Sequence, residues 1–78
     1  MAGQFFSVGV RPDRERLIVE VHGEIDLLTA PRVREAVAEA VASGWSQLVI
    51  DRRAVSFMDS AGVHLLLRPW ARTASRVR

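Results

Sequence analysis

PRVREAVAEAVASGWSQLVID, residues 31–51, holds a helix, its stop and a buried strand in succession. Val33, Ala36, Val37, Ala40 and Val41 recur at the i, i+3, i+4, i+7, i+8 spacing of a helix with one apolar stripe, and Arg32, Arg34, Glu35 and Glu39 fall mostly outside it. The spacing predicts a helix from Pro31 to Ser43. Thr29 can cap it, Pro31 is acceptable in a first turn whose N–H groups lack helical partners, and Gly44 closes it. Gln47-Leu48-Val49-Ile50-Asp51 then reads as a short strand covered on both faces.

Upstream, residues 5–10 and 17–22 are apolar or alternating and rich in β-branched side chains, with Pro12-Asp13-Arg14-Glu15 between them as turn chemistry. A β-hairpin followed by helix and strand implies a parallel pair joined by a crossover. Downstream, Arg52 to Met58 leads to Asp59-Ser60-Ala61-Gly62 and the apolar run Val63 to Leu67, a second helix with Ser60 at or near its N-cap. Phe57 and Met58 read as core, Trp45 as an anchoring hydrophobe and Trp70 as a tail residue. Pro69 should stop or kink the second helix, and the arginine-rich tail after it, without a second apolar strand, reads as poorly ordered.

The 78 residues hold one small domain. Apolar residues make up 49% and aromatics only 6%, so the core must come from Val, Leu, Ile and Ala. Without cysteine there is no disulfide framework, thiolate metal site or cysteine nucleophile, and His22 and His64 are too few and too far apart for metal-ligand spacing. No apolar stretch approaches the roughly 18 residues that span a bilayer, and the start lacks a leader pattern, so the chain is expected to be soluble and cytoplasmic, with no membrane partner. The net charge of +2 rests on arginine alone, concentrated from Arg52 onward. Without aromatic side chains interleaved among those arginines, direct nucleic-acid binding is not expected. No metal set, base-activated nucleophile or glycine-rich phosphate loop is visible, so neither an enzyme nor a cofactor is expected.

The feature that carries chemistry is Asp59-Ser60-Ala61-Gly62. A serine at a helix start caps backbone N–H groups, and the same end tolerates an anion. A phosphate there adds about −1.5 to −2 charges beside Asp59, and beside Asp26 if the first loop lies alongside. Local sequence leaves open whether Ser60 is simply a cap or a phosphoacceptor. Asp26 can equally be a turn carboxylate bonding its own backbone. His64 could shield a phosphate, although packing or plain surface exposure is the more ordinary role.

Val21-His22-Gly23-Glu24-Ile25-Asp26-Leu27-Leu28-Thr29-Ala30-Pro31 resembles one signature of STAS domains, and Leu48 to Asp51 through Val55-Ser56-Phe57-Met58-Asp59-Ser60-Ala61-Gly62-Val63 resembles a second. The resemblance is to bacterial anti-sigma factor antagonists and runs from about Phe6 to Leu67. It implies an α/β fold, a STAS-like β-β-α-β-α core with a mixed sheet over residues 4–68 and a basic tail over 69–78. The family's C-terminal strand and helices would be lacking, as in a truncated product, which would leave Gln47–Asp51 an exposed edge. It further implies phosphorylation of Ser60 and a partner-binding role for Asp26, Thr29, Ser56, Asp59, Ala61 and Gly62. The implied partners are an anti-sigma factor serine kinase and a PP2C-type phosphatase. The unphosphorylated form would bind the kinase and free a sigma factor. A ligand-sensing or structural STAS module that is never phosphorylated, or a fragment without function, are the alternatives. Arg52-Arg53 departs from the family pattern, standing where an apolar and a small residue are usual.

Overall fold

The apolar runs 17–21 and 48–50 lie side by side at the centre of a mixed sheet, and the rest of the molecule is arranged around that pairing. The computed structural model of the chain describes residues 5–68 and 73–78. In chain order they form β1 (Phe6–Asp13), β2 (Arg16–Ile25), α1 (Ala30–Ala42), β3 (Gln47–Met58), α2 (Ser60–Leu67) and β4 (Ala74–Val77). Strand order follows chain order, with β1 antiparallel to β2, and β3 parallel to both β2 and β4. The mixed α/β sheet with two helices matches the fold class expected from sequence.

The β1–β2 turn is Arg14-Glu15, between paired Asp13 and Arg16, and Arg14 takes the left-handed backbone (φ 60°) that so short a hairpin demands. The helices lie on one face of the sheet. Leu17, Val19, Val21 and Ile25 of β2 and Leu48 and Ile50 of β3 meet Ala30, Val33, Val37 and Ala40 of α1 and Leu65 and Leu66 of α2 in one core. Alternation sends Ile18 and Val49 to the opposite face, where they pair across β2 and β3 and are 0% and 2% exposed. In register on either side stand Arg11 and Arg76, placed to cover them with their alkyl stems. Around this pair the outer face is charged, with Arg11–Glu20 at 3.4 Å, Arg16–Asp13 at 3.0 Å and Arg53–Asp51 at 2.8 Å.

Two irregularities in β3 absorb the residues that depart from the family pattern. Glu20 pairs with Asp51 but His22 with Ala54, so β3 carries an extra residue at Arg52-Arg53; a second falls at Ser56, between the pairs Gly23–Val55 and Glu24–Phe57. Both arginines are exposed. Arg53 folds back on its own strand, its Nε and Nη2 donating to the two carboxylate oxygens of Asp51 at 3.0 and 2.8 Å. The second irregularity overturns the core assignment of Phe57, which is 54% exposed, while Met58 packs against the core as expected. Trp45 also packs there, half-buried.

The tail requires a correction. Residues 74–77, expected to be poorly ordered, form β4 against Gln47–Ile50, so that segment is not an exposed edge. The ladder is anchored at both ends, by the Ala74 N–H on the Ser46 carbonyl (2.9 Å), the Arg78 N–H on Ile50 (2.9 Å) and the Arg52 N–H on Arg78 (2.8 Å). Val77 packs on the core and the Arg78 guanidinium reaches Asp51 at 3.5 Å. One apolar residue among polar ones gave no strand signal, because this strand is held by main-chain bonds and charge. Pro69 and Trp70 lie outside the described residues.

Asp51 is thus a buried carboxylate serving two arginines. The side-chain and backbone N–H groups of Arg53 hold it well below the usual carboxylate range. A lowered folded-state pKa contributes stability that is present above the unfolded value, near 3.8, and is lost as pH falls below it. In urea titrations between pH 2 and 6, the native chain should lose stability below about pH 4 more steeply than Asp51→Asn. At neutral pH, Asp51→Ala should cost about 1–3 kcal/mol, since it removes the buried acceptor of Arg53 and leaves the buried Nε of Arg78 without its carboxylate.

Candidate functional site

The start of β1, the ends of β2 and β3 and the N-termini of both helices meet at one end of the molecule. Two residues before β2 ends, Gly23 has a left-handed backbone (φ 99°) and a Cα so close to the Phe5 carbonyl that any side chain would collide with backbone. Asp26 then organises the turn into α1. Its Oδ1 accepts from the N–H groups of Leu28 (2.9 Å) and Thr29 (3.0 Å), while its carbonyl accepts from Ala30 (2.8 Å). The turn-carboxylate reading of Asp26 is therefore realised.

Thr29 occupies the N-cap position but makes no side-chain cap bond, contrary to expectation. Its buried hydroxyl points back into the loop, donating to the Glu24 carbonyl at 2.7 Å and accepting from the Asp26 N–H at 2.9 Å. Asp26 already serves the first N–H groups, which frees the hydroxyl to brace the strand exit. Arg32, one turn on, lies over the Phe6 ring at 4.8 Å and ties α1 to β1.

The second loop is joined to the first by its backbone, the Asp59 N–H donating to the Ile25 carbonyl at 3.1 Å. Asp26, the residue after Ile25, and Asp59 thus belong to one surface. Ser56 is exposed and its Oγ donates to the Gly23 carbonyl at 3.3 Å, a further link between the loops. Gly62 is buried where α2 crosses Met58 and Ile25; a Cβ there would meet the Met58 side chain and sit 2.9 Å from Ile25 Cγ2. Ala61 packs half-buried against the core. Thr29, Ala61 and Gly62 accordingly shape this end from beneath, and Asp26, Ser56, Asp59 and Ser60 reach its surface.

Asp59, and not Ser60, caps α2. Its Oδ1 accepts from the Ala61 N–H at 2.9 Å and the Gly62 N–H at 3.4 Å from an extended backbone, the geometry of an N-cap. Ser60 becomes the first helical residue, exposed, and its hydroxyl makes no hydrogen bond among the described residues. Sequence alone could not separate two adjacent capping residues, and the longer side chain took the role.

Sequence reasoning also missed an apolar rim. Of the seven large apolar side chains exposed among the described residues, Phe5, Leu27, Leu28, Phe57 and Val63 lie at this end. Leu27 and Leu28 are 77% and 82% exposed in the turn that Asp26 fixes. Two leucines in a turn, outside any helical period, were the available signal. Exposed apolar side chains gathered at one end in this way are a feature of interaction sites. The described residues contain no group of three or more acidic or histidine side chains able to hold a metal ion, and no helix long and apolar enough to cross a membrane.

A family model described as the STAS domain matches residues 7–75. The chain belongs to the STAS domain family. A STAS protein of Mycobacterium tuberculosis, the anti-sigma-F factor antagonist RsfB, is 45% identical over 49 residues, which are 63% of this chain and 40% of RsfB. The crystal structure of an anti-sigma factor antagonist from Mycobacterium paratuberculosis superposes with a TM-score of 0.82 at 32% identity, over 94% of this chain and 66% of that one. The Bacillus cell fate determinant SpoIIAA in its phosphorylated form gives a TM-score of 0.61 at 28% identity, over 81% of this chain and 57% of that one. This STAS chain therefore spans two-fifths to two-thirds of the length of these relatives.

The division of labour between the two adjacent residues has a measurable outcome. Asp59→Ala should lower stability by about 1 kcal/mol by removing the α2 cap, whereas Ser60→Ala should stay within about 0.5 kcal/mol of the native chain in urea unfolding.

Proposed function

We propose that this STAS chain is an anti-sigma factor antagonist that works as a partner switch, with Ser60 as the phosphorylated residue. The observation that carries the reading is a serine hydroxyl, exposed and free of any capping duty, at the same end of the molecule as the exposed apolar side chains. The names of the similar proteins support the function class, and one of them, SpoIIAA, is described in a phosphorylated form.

In the unphosphorylated form, Leu27, Leu28, Phe57 and Val63 offer the buried centre of a protein interface, with Asp26, Ser56 and Asp59 at its polar margin. The partner is an anti-sigma factor that is itself a serine kinase, and docking releases its sigma factor. Phosphorylation then transfers the terminal phosphoryl group of ATP to Ser60 Oγ: the new O–P bond forms, the bond to the ADP oxygen breaks, and the serine proton leaves to a base of the kinase. The product carries about two negative charges beside Asp59. Burying that strongly hydrated group among leucines costs several kcal/mol of desolvation, so the complex separates. The α2 cap is untouched, so phosphorylation alters the binding surface and leaves the fold in place. A PP2C-type phosphatase resets the switch. No step uses a cofactor or nucleic acid, and the chain acts as a cytoplasmic, bacterial regulator rather than as an enzyme.

Incubation with candidate anti-sigma kinases and ATP should add the mass of one phosphate to the native chain and none to Ser60→Ala. Ser60→Ala should bind the anti-sigma factor as the native chain does, and Ser60→Asp at least tenfold more weakly. No modification, with equal binding by both variants, would sink the reading. Leu28→Ser, at an exposed position, should leave unfolding unchanged and weaken binding by about 1–2 kcal/mol, or roughly tenfold, in calorimetric titration.

A further inference from the structure

A phosphoryl group on Ser60 would find the three main-chain donors that follow it in α2 occupied. The Ala61 and Gly62 N–H groups are held by Asp59 Oδ1 at 2.9 and 3.4 Å, and the Val63 N–H by the Asp59 carbonyl at 3.1 Å. The helix terminus that commonly receives an anion is therefore already filled by a fixed carboxylate. Beyond the N–H of Ser60 itself, compensation must come from side chains.

On α2 the buried side is Gly62, Leu65 and Leu66, and the exposed side is Ser60, Val63, His64 and Leu67. Val63 and Leu67 line a shallow groove with Arg52, Met58 and Val77, on the flank of α2 that faces β4. His64 lies on the other flank, four residues and one turn from Ser60, which puts their Cβ atoms about 5–6 Å apart. That flank faces α1. The buried residues of α1 are Ala30, Val33, Val37 and Ala40, and Arg32 lies over Phe6 on the β1 side. Arg34, about 200° further round the helix, is on the side turned to α2.

We propose that His64 is the counter-ion of a phosphoryl group on Ser60, seated between α2 and α1 with Arg34 at its margin; this rests on the reading of Ser60 as the modified residue. An imidazolium and a phosphate dianion coexist around neutral pH, since their unperturbed ionisations fall near 6.5 and 6. Each favours the charged form of the other: the phosphate loses its second proton at lower pH, and His64 keeps its proton to higher pH. The other charged groups near this flank are Asp59 at the helix start, which opposes the phosphate, Asp26 in the adjoining loop and Arg68 at the end of α2. Arg52 lies on the β4 side and has no part in the pair. The contact draws the phosphate to the α1 side of the helix, away from Val63 and Leu67.

The test uses the full chain with phosphoserine introduced chemically or by genetic encoding at position 60, so that no kinase is needed. Phosphorus NMR from pH 5 to 8 should place the second ionisation of the phosphate about 0.5 lower in pH in the native background than in His64→Gln. Proton NMR should place the His64 titration higher by a similar amount in the phosphorylated chain than in the unmodified one. Coincident curves in both comparisons overturn the proposal, as does a displacement that survives His64→Gln and disappears in Arg34→Gln. Either negative result leaves the switch itself standing, because that reading fails only on absent phosphorylation by kinases and unchanged partner binding.

Discussion

The parallel pairing of β2 with β3 is the constraint from which the molecule follows. Leu17 opposite Leu48 and Val19 opposite Ile50 build the floor on which both helices rest, and Ile18 opposite Val49 fills the reverse face. A parallel pair cannot be closed by a tight turn, so the thirteen residues of α1 must cross over it. Because the strands run together, they end together. Their exits, carrying Asp26 and Asp59, therefore arrive on one surface, clipped by the Asp59 N–H to Ile25 carbonyl bond. Topology has delivered two loops far apart in sequence to a single place.

Charge handles what the hydrophobic effect leaves unfinished in so short a chain. The outer face of the sheet has no helix against it in the described residues, and its two central apolar side chains lie among arginines paired with Asp13, Glu20 and Asp51. Asp51 does most in this arrangement, closing the irregularity in β3 through Arg53 and holding the end of β4 through Arg78. The energies of the exposed pairs are small. Asp51 differs because its carboxylate is buried and faces the buried Nε of Arg78.

The hairpin, the crossover helix and the central strand were legible because periodicity and turn chemistry agreed there. What sequence could not supply depended on longer-range geometry. β4 has one apolar residue, Val77, and exists because Gln47–Ile50 offers it an edge. Phe57 looks like core until the irregularity at Ser56 changes which way β3 presents it. Asp26, Thr29, Ser56, Asp59, Ser60, Ala61 and Gly62, grouped from sequence, lie at one end of the molecule, but apart from the turn role of Asp26 their separate structural duties were not legible. Thr29 and Ser60 each looked like caps; at α2 the neighbouring Asp59 performs that task, whereas the start of α1 has no side-chain cap. The exposed pair Leu27-Leu28 lies outside any helical or strand period, so its exposure was not legible.

The separation between Asp59 and Ser60 also bears on how such a domain can change over time. Since the helix start is secured by the aspartate, the neighbouring position is free of capping duty, and under the proposed switch it is open to change through what it would signal. A lineage could exchange the serine for threonine, alanine or an acidic residue, and so retune, silence or permanently set the response, while inheriting the same scaffold intact.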